Sequence, residues 1–166
     1  MNLLANKNQP MLPVVGQPAP DFSLPDQDGV VHTLAECKGK WTLLYFYPKD
    51  ATPGCTVEAQ VIRDAWPHFN AEGIAVYGIS VDSMTSHKKF IDKHDLPYTL
   101  LSDTEKKMVN DYGVWGKKKM LGKEYEGSSR TSFLVAPDGT IAKVYEQVKP
   151  LKHAAEVIAD VKARKV

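Results

Sequence analysis

The chain has 166 residues, 43% hydrophobic and 25% charged, with a formal net charge of +1. That is enough chain for one domain with a proper core, and mixed charge without a basic stripe or acidic tail argues against nucleic-acid binding. There is no apolar run long enough to span a membrane, and the 2 cysteines are too few for a disulfide scaffold, which points to a reducing, cytoplasmic setting.

Met1 to Leu12 contain one lysine and a broken apolar pattern, without the apolar core of a secretory signal. Residues 1–12 are therefore expected to form a flexible extension, and 13–166 a single domain. Asp21-Phe22-Ser23-Leu24 and Val30-Val31-His32-Thr33 flank the turn signal Asp28-Gly29 and read as a hairpin. Trp41 to Tyr47 is a continuous aromatic and aliphatic run, as expected of a strand buried on both faces, and Ile74 to Val81 is a second. Between them Val57, Val61, Ile62, Ala65, Trp66 and Phe69 recur at helical spacing from Cys55 onward, completing a βαβ unit with parallel strands.

A helix over about Ser83 to His94 follows, then a short strand near Tyr98-Leu101 and a helix near Glu105-Asp111. Trp115 to Gly127 reads as an irregular, lysine-bearing segment, with Lys117-Lys118-Lys119 as a solvated loop. Ser132-Phe133-Leu134-Val135 and Ile141 to Tyr145 flank Pro137-Asp138-Gly139, a hairpin turn, and a last helix covers about Leu151 to Ala163. This order is that of an α/β thioredoxin-like fold, a central mixed sheet flanked by helices, with an N-terminal β-hairpin extension.

The chemistry concentrates in Tyr47-Pro48-Lys49-Asp50-Ala51-Thr52-Pro53-Gly54-Cys55-Thr56, directly after a strand and directly before a helix. Thr52 suits the N-cap and Pro53 the first helical position, where its missing N–H costs nothing. Gly54 and Cys55 then occupy the next two positions, whose N–H groups have no partner within the helix. A thiol there is readily converted to the nucleophilic thiolate; the competing reading is a small buried hydrophobe. An ordinary thiol, pKa ~8.5, is only a few per cent ionised at neutral pH. A helix terminus adds only ~0.3–2 kcal/mol, so a fixed cation is expected near the sulfur. Arg130, at the start of a core strand, is the best candidate, although a surface arginine would also fit. Arg63, two helical turns from Cys55, is a weaker one, and Glu58 is placed to hold an arginine.

The spacing Pro-x-x-x-Thr-x-x-Cys, expected by chance in on the order of 1% of such chains, is the signature of peroxiredoxins. From about Val15 onward the chain is similar to the bacterioferritin comigratory protein, or PrxQ, group of that family. The likeness rests on Phe46-Tyr47-Pro48-Lys49-Asp50, Thr52 to Thr56, Tyr112-Gly113-Val114-Trp115-Gly116, and Arg130 ahead of Phe133-Leu134. The resemblance implies a thiol-dependent peroxidase for hydrogen peroxide and organic hydroperoxides, without metal or bound cofactor. It further implies that Cys55 passes through a sulfenic acid, that Thr52 hydrogen-bonds thiolate and peroxide, and that Pro48 shields the pocket. Arg130 would stabilise the thiolate and polarise the O–O bond, with Gly54 and Glu58 in the same pocket and the protein a monomer.

Many members of this group carry a resolving cysteine five residues after the peroxidatic one, where this chain has Gln60. Cys37 and Cys55 flank a seven-residue strand roughly 20 Å long, whereas a disulfide needs Cα atoms about 4.4–6.8 Å apart. A one-cysteine cycle is therefore expected, with thioredoxin, or glutaredoxin with glutathione, or a small thiol as external reductant. The rival is a non-catalytic redox sensor or chaperone-like binding module of the same fold, favoured only by the missing cysteine at position 60. His87 and His94 lie two turns apart on a polar helix and the remaining histidines show no ligand spacing, so no metal site is expected, and Ser128-Ser129 lacks a hydrolase constellation.

Overall fold

The computed structural model describes residues 11–165. Ser23–Pro25 (β1) and Val31–Thr33 (β2) pair antiparallel around a turn in which Gly29 takes φ 81°. A 3-10 turn, Leu34–Cys37, leads into Trp41–Phe46 (β3). There follow Pro53–Asp64 (α1), Trp66–Ala71 (α2), Ile74–Ser80 (β4), Met84–His94 (α3), Thr99–Ser102 (β5) and Lys107–Asp111 (α4). Trp115–Met120 (β6), Lys123–Ser128 (β7), Thr131–Val135 (β8), Ile141–Tyr145 (β9) and His153–Arg164 (α5) complete the order.

The main sheet has the strand order β5-β4-β3-β8-β9, with β3, β4 and β5 parallel and β8 antiparallel to both its neighbours. Its centre is β3, whose pleat sends Leu43 and Tyr45 to one face and Leu44 and Phe46 to the other. On the first face they meet Ala59 and Ile62 of α1, Phe69 of α2 and Val157 of α5. On the second they meet Val109, Tyr112 and Phe133. Both faces of β3 are covered, so its sequence shows no polar alternation.

The N-terminal segment covers both sheet edges. Gly16 N–H donates to Ile141 O (2.8 Å) and Ala19 N–H to Gly139 O (2.9 Å) along β9, while Asp26 bridges to Leu101 of β5. The extension expected at residues 1–12 lies, up to position 10, outside the described residues; Leu12 packs against the second core and Met11 lies over Gly113.

Two expectations need correction. The helical spacing from Cys55 to Phe69 suggests one helix, but the helix breaks at Ala65 (φ −88°, ψ 1°), two residues before Pro67. Within a continuous helix Pro67 could not donate to Arg63 O and its ring would strike that carbonyl; the chain instead restarts α2 with Pro67 in the first turn. The segment 115–127 is a regular hairpin, paired from Trp115↔Ser128 to Met120↔Lys123. Its two-residue turn, Leu121-Gly122, has both φ values positive (53° and 78°), as hairpin turns of type I′ require. The strands read as irregular because they form a separate sheet and carry no continuous apolar face.

His153 opens α5 with its ring fully buried, Nε2 2.8 Å from Ser132 Oγ and Nδ1 without a hydrogen-bond partner. Burial pushes its pKa down to about 4. Its stabilising contribution is complete above the unfolded value near 6.5 and is lost as pH falls toward 4, because the unfolded chain takes up the proton first. Denaturant titration should show the wild type losing about 2 kcal/mol more than His153→Gln between pH 7 and pH 5.

Candidate active site

The loop between β3 and α1 is held from several sides. Asp50 accepts from Tyr47 OH on Oδ1 (2.6 Å) and from Ser86 Oγ on Oδ2 (2.8 Å), and His87 Nδ1 lies 2.7 Å from Oδ2. The Asp50 N–H donates to Asp82 Oδ2 (2.9 Å), which also accepts from Ser80 Oγ (2.6 Å). Asp50, Asp82 and His87 bring possible ligand atoms within 4.8 Å of one another. These atoms are already committed to hydrogen bonds, so the cluster works as a clasp on the loop rather than as an open metal cage. Within the loop Ala51 takes φ 61°, and Thr52 Oγ1 donates to Lys49 O (2.7 Å).

Thr52 occupies the N-cap position of α1 with extended backbone (φ −86°, ψ 153°), but its side chain does not cap the helix. The expected capping bond is absent because the hydroxyl is turned to Lys49 O. The first N–H groups of α1 are thus left uncapped by that side chain, on the turn that carries Gly54 and Cys55.

Arg130 reaches this turn through the sheet. The antiparallel register of β8 sets Thr131 opposite Phe46, the last residue of β3, so a residue 75 positions away in sequence stands at the start of α1. Its backbone is fixed by Val148 N–H donating to Arg130 O (3.0 Å). The guanidinium donates from Nη2 to Cys55 Sγ (3.4 Å) and from Nη1 to Glu58 Oε2 (2.9 Å). It therefore spans two residues three apart on one helix face. Burial works against its charge, but Glu58 and Cys55 outweigh burial and push the Arg130 pKa up.

The Glu58 side chain is fully buried, with Oε1 unpartnered. Burial pushes its carboxyl up to about 7 despite the pull of Arg130. Gly54 is required beside it: a Cβ there would stand 2.9 Å from Arg130 Nη2.

Pro48, Thr52, Gly54 and Arg130 line one cavity of about 680 Å³, closed on the far side by Trp115, Tyr125 and Gly127 of the β6–β7 hairpin. Cys55 is 2% exposed, and the cavity wall reaches it through Gly54 and Arg130. A groove of similar size between β9 and α5 holds neither cysteine.

The other sequence candidates lie apart from this cluster. Gln60 faces α3, with Nε2 3.3 Å from His94 Nδ1, and Arg63 donates from Nη1 to His94 O (2.8 Å). Cys37 is buried in the second core, across the sheet from Cys55 in the first, and burial raises its pKa. Sequence reasoning missed four contributors. His87, set aside on a polar helix, is fully buried in the loop clasp. Trp115 and Tyr125 became cavity wall once the supposed irregular segment paired as a hairpin. Lys118, taken as part of a solvated loop, is half-buried and donates to Ser128 O. Alternation along paired strands is the signal that would have separated it from exposed Lys117 and Lys119.

A guanidinium donating to a sulfur on the first turn of a helix is an arrangement that can stabilise negative charge on that sulfur. The AhpC/TSA family model matches residues 15–144 of the chain. Peroxiredoxin Bcp of Bacillus subtilis is 43% identical over 148 residues, 89% of this chain and 94% of that protein. The chain belongs to the peroxiredoxins. It falls in their Bcp/PrxQ group and is a thiol-dependent peroxidase. A mutant of Xylella fastidiosa PrxQ superposes with a TM-score of 0.88 at 30% identity, covering 94% of this chain and 99% of that one. The Xanthomonas campestris bacterioferritin comigratory protein, solved in a study of its alkyl peroxide reduction activity, gives 0.82 at 34%, covering 87% and 92%. The mixed sheet with flanking helices is thus the expected thioredoxin-like fold.

Gly54→Ala tests how far this peroxidase depends on the placement of its guanidinium. The added methyl displaces the end of a flexible side chain and not backbone, so the fold should tolerate it. Peroxide oxidation of Cys55 is expected to slow about 10-fold, with a thermal midpoint unchanged or slightly higher, as alanine is the better helix former.

Proposed function

We propose that Cys55 is the peroxidatic nucleophile and that residues 13–166 act as one catalytic unit. The observation that carries this reading is the single guanidinium held 3.4 Å from Cys55 Sγ and 2.9 Å from Glu58 Oε2. The thiolate attacks the terminal oxygen of ROOH; the S–O bond forms, the O–O bond breaks, and the electron pair leaves on the alkoxide oxygen, which takes up a proton from solvent to become ROH, while the hydroxyl hydrogen stays on the sulfenic acid. Arg130 donates to sulfur and to the oxygens as charge moves between them, and Glu58 holds it in place. The Thr52 proton is committed to Lys49 O, so the Thr52 oxygen is free to accept from the peroxide O–H. Pro48 forms cavity wall without an N–H, which limits water at the reacting centre.

The resulting sulfenic acid is resolved from outside. An external thiol R′SH condenses with Cys–SOH to a mixed disulfide and water, and a second thiol releases Cys55 and R′S–SR′. The amide Gln60 at the usual resolving position and the location of Cys37 across the sheet support this one-cysteine cycle. Thioredoxin, or glutaredoxin with glutathione, is the proposed reductant class. Hydrogen peroxide and organic hydroperoxides are the proposed substrates, the latter supported by the alkyl peroxide reduction of the Xanthomonas relative. A cytoplasmic monomer acting without nucleic acid or membrane fits these partners, and among the described residues no helix is long and apolar enough to cross a membrane.

Stopped-flow oxidation should be fast in the wild type and absent in Cys55→Ser; a wild-type rate no faster than free cysteine would leave the redox-sensor reading standing. Arg130→Gln should cost about 10²–10³-fold. Mass spectrometry after peroxide and one added thiol should find that thiol on Cys55, and Cys37→Ser should still turn over. An intrachain Cys37–Cys55 bridge would refute the one-cysteine cycle.

A further inference from the structure

Cys55 is buried in the first turn of a helix that is held along its length. Tyr98 OH donates to Ala59 O (3.0 Å), Gln60 Nε2 lies 3.3 Å from His94 Nδ1, and Arg63 Nη1 donates to His94 O (2.8 Å). Tyr98 OH in turn accepts from Tyr45 OH of β3 (3.0 Å), so this tether reaches the centre of the sheet. Glu58, between Cys55 and these contacts, is tied to Arg130. Unwinding α1 to bring the sulfur to the surface would break these bonds and open the first core, to which Cys55, Ala59 and Ile62 belong.

The sulfur therefore meets its reaction partners through the cavity walled by Pro48, Thr52, Gly54, Arg130, Trp115 and Tyr125. A disulfide requires Cα atoms about 4.4–6.8 Å apart. A cysteine of a folded partner would have to carry its own backbone and neighbours that close to the Cys55 Cα, past the hairpin that closes the cavity. A low-molecular-weight thiol brings only its own few atoms. The cavity, about 680 Å³, is of the size that encloses small-molecule ligands, about 300–1,000 Å³. The two oxygens of hydrogen peroxide leave most of that volume unfilled.

We propose that this cavity is also the binding site of the resolving thiol, a low-molecular-weight thiol of small-peptide size or less, and that a protein thiol acts only on the mixed disulfide it leaves. The proposal rests on the one-cysteine cycle at Cys55. The small thiol RSH enters once the alcohol has left, and its sulfur attacks the sulfenic sulfur. The S–S bond forms, the S–O bond breaks, and the hydroxide takes the thiol proton to leave as water. A second thiol R′SH then meets two sulfurs. Arg130 donates to Cys55 Sγ, so that sulfur is the better able to depart with the electron pair. R′SH, its proton lost to solvent, therefore attacks the outer sulfur, which lies in the cavity and not on the helix. Cys55 leaves as thiolate, and the small thiol leaves as R–S–S–R′. A protein dithiol can serve in this second step, because the attacked sulfur is no longer carried by α1.

The test uses the full chain, oxidised with an equimolar amount of hydrogen peroxide and then mixed with glutathione, free cysteine, or reduced thioredoxin alone. The two small thiols should consume the sulfenate and appear as adducts on Cys55 by mass spectrometry. Thioredoxin alone should act on the sulfenate about 100-fold more slowly at equal thiol concentration, yet release Cys55 readily from the glutathione adduct. Amide hydrogen exchange over Pro53–Asp64 should show equal protection in the reduced, sulfenate and adduct forms. Thioredoxin reducing the sulfenate as fast as glutathione, or α1 losing protection on oxidation, would overturn the proposal, because either result shows a sulfur that a folded partner can reach. If peroxide gives no sulfenate on Cys55, or gives a Cys37–Cys55 bridge, the underlying one-cysteine reading fails first and this proposal falls with it.

Discussion

One guanidinium joins the two halves of this molecule. Arg130 comes from the antiparallel side of the sheet, while Cys55 and Glu58 come from the helix of the parallel βαβ unit, and its two terminal nitrogens hold one residue each. The ion pair with Glu58 is buried, so its worth as a source of stability is small or negative once desolvation is counted. Its effect is geometric: it fixes a planar donor against the sulfur. Glu58 carries the cost in a carboxyl pushed toward neutrality by its surroundings.

The surroundings of that pair are built to move little. The loop before α1 is tied through Asp50 to Tyr47, Ser86 and His87, and through its backbone to Asp82. Farther along α1, Tyr98 OH donates to Ala59 O (3.0 Å) and Arg63 reaches His94 O. The helix and the loop before it are therefore tied to α3, to the end of β4 and to Tyr98 by short hydrogen bonds. Such preorganisation lets donors meet developing charge without first reorienting. It also fits the proposed cycle, in which an external thiol and not Cys37 resolves the sulfenate.

Much of the fold was legible because its strongest signals are local. The two long apolar runs, the Asp-Gly hairpin turns and the helix-start chemistry of Thr52 to Cys55 each depend on a few neighbouring residues. Two elements were misread for equally local reasons. Pro67 was overridden by the apolar period running through it, and Leu121-Gly122 hid a tight turn because leucine rarely accepts positive φ. The second error mattered for function, since it concealed the cavity wall formed by Trp115 and Tyr125 and the inward side of Lys118.

The amino-acid sequence by itself determined the position proposed for the nucleophile, since a cysteine in the first turn of a helix is a matter of adjacent residues, and it determined the lack of a partner cysteine at position 60. Only the tertiary structure decided that Arg130 was the cation at the sulfur rather than Arg63. Both are arginines near core elements, and no local pattern separates them; the antiparallel register of β8 against β3 does. Likewise only the closed hairpin distinguished Lys118 from the lysines on either side, because burial of a polar residue is set by what the rest of the chain folds against it.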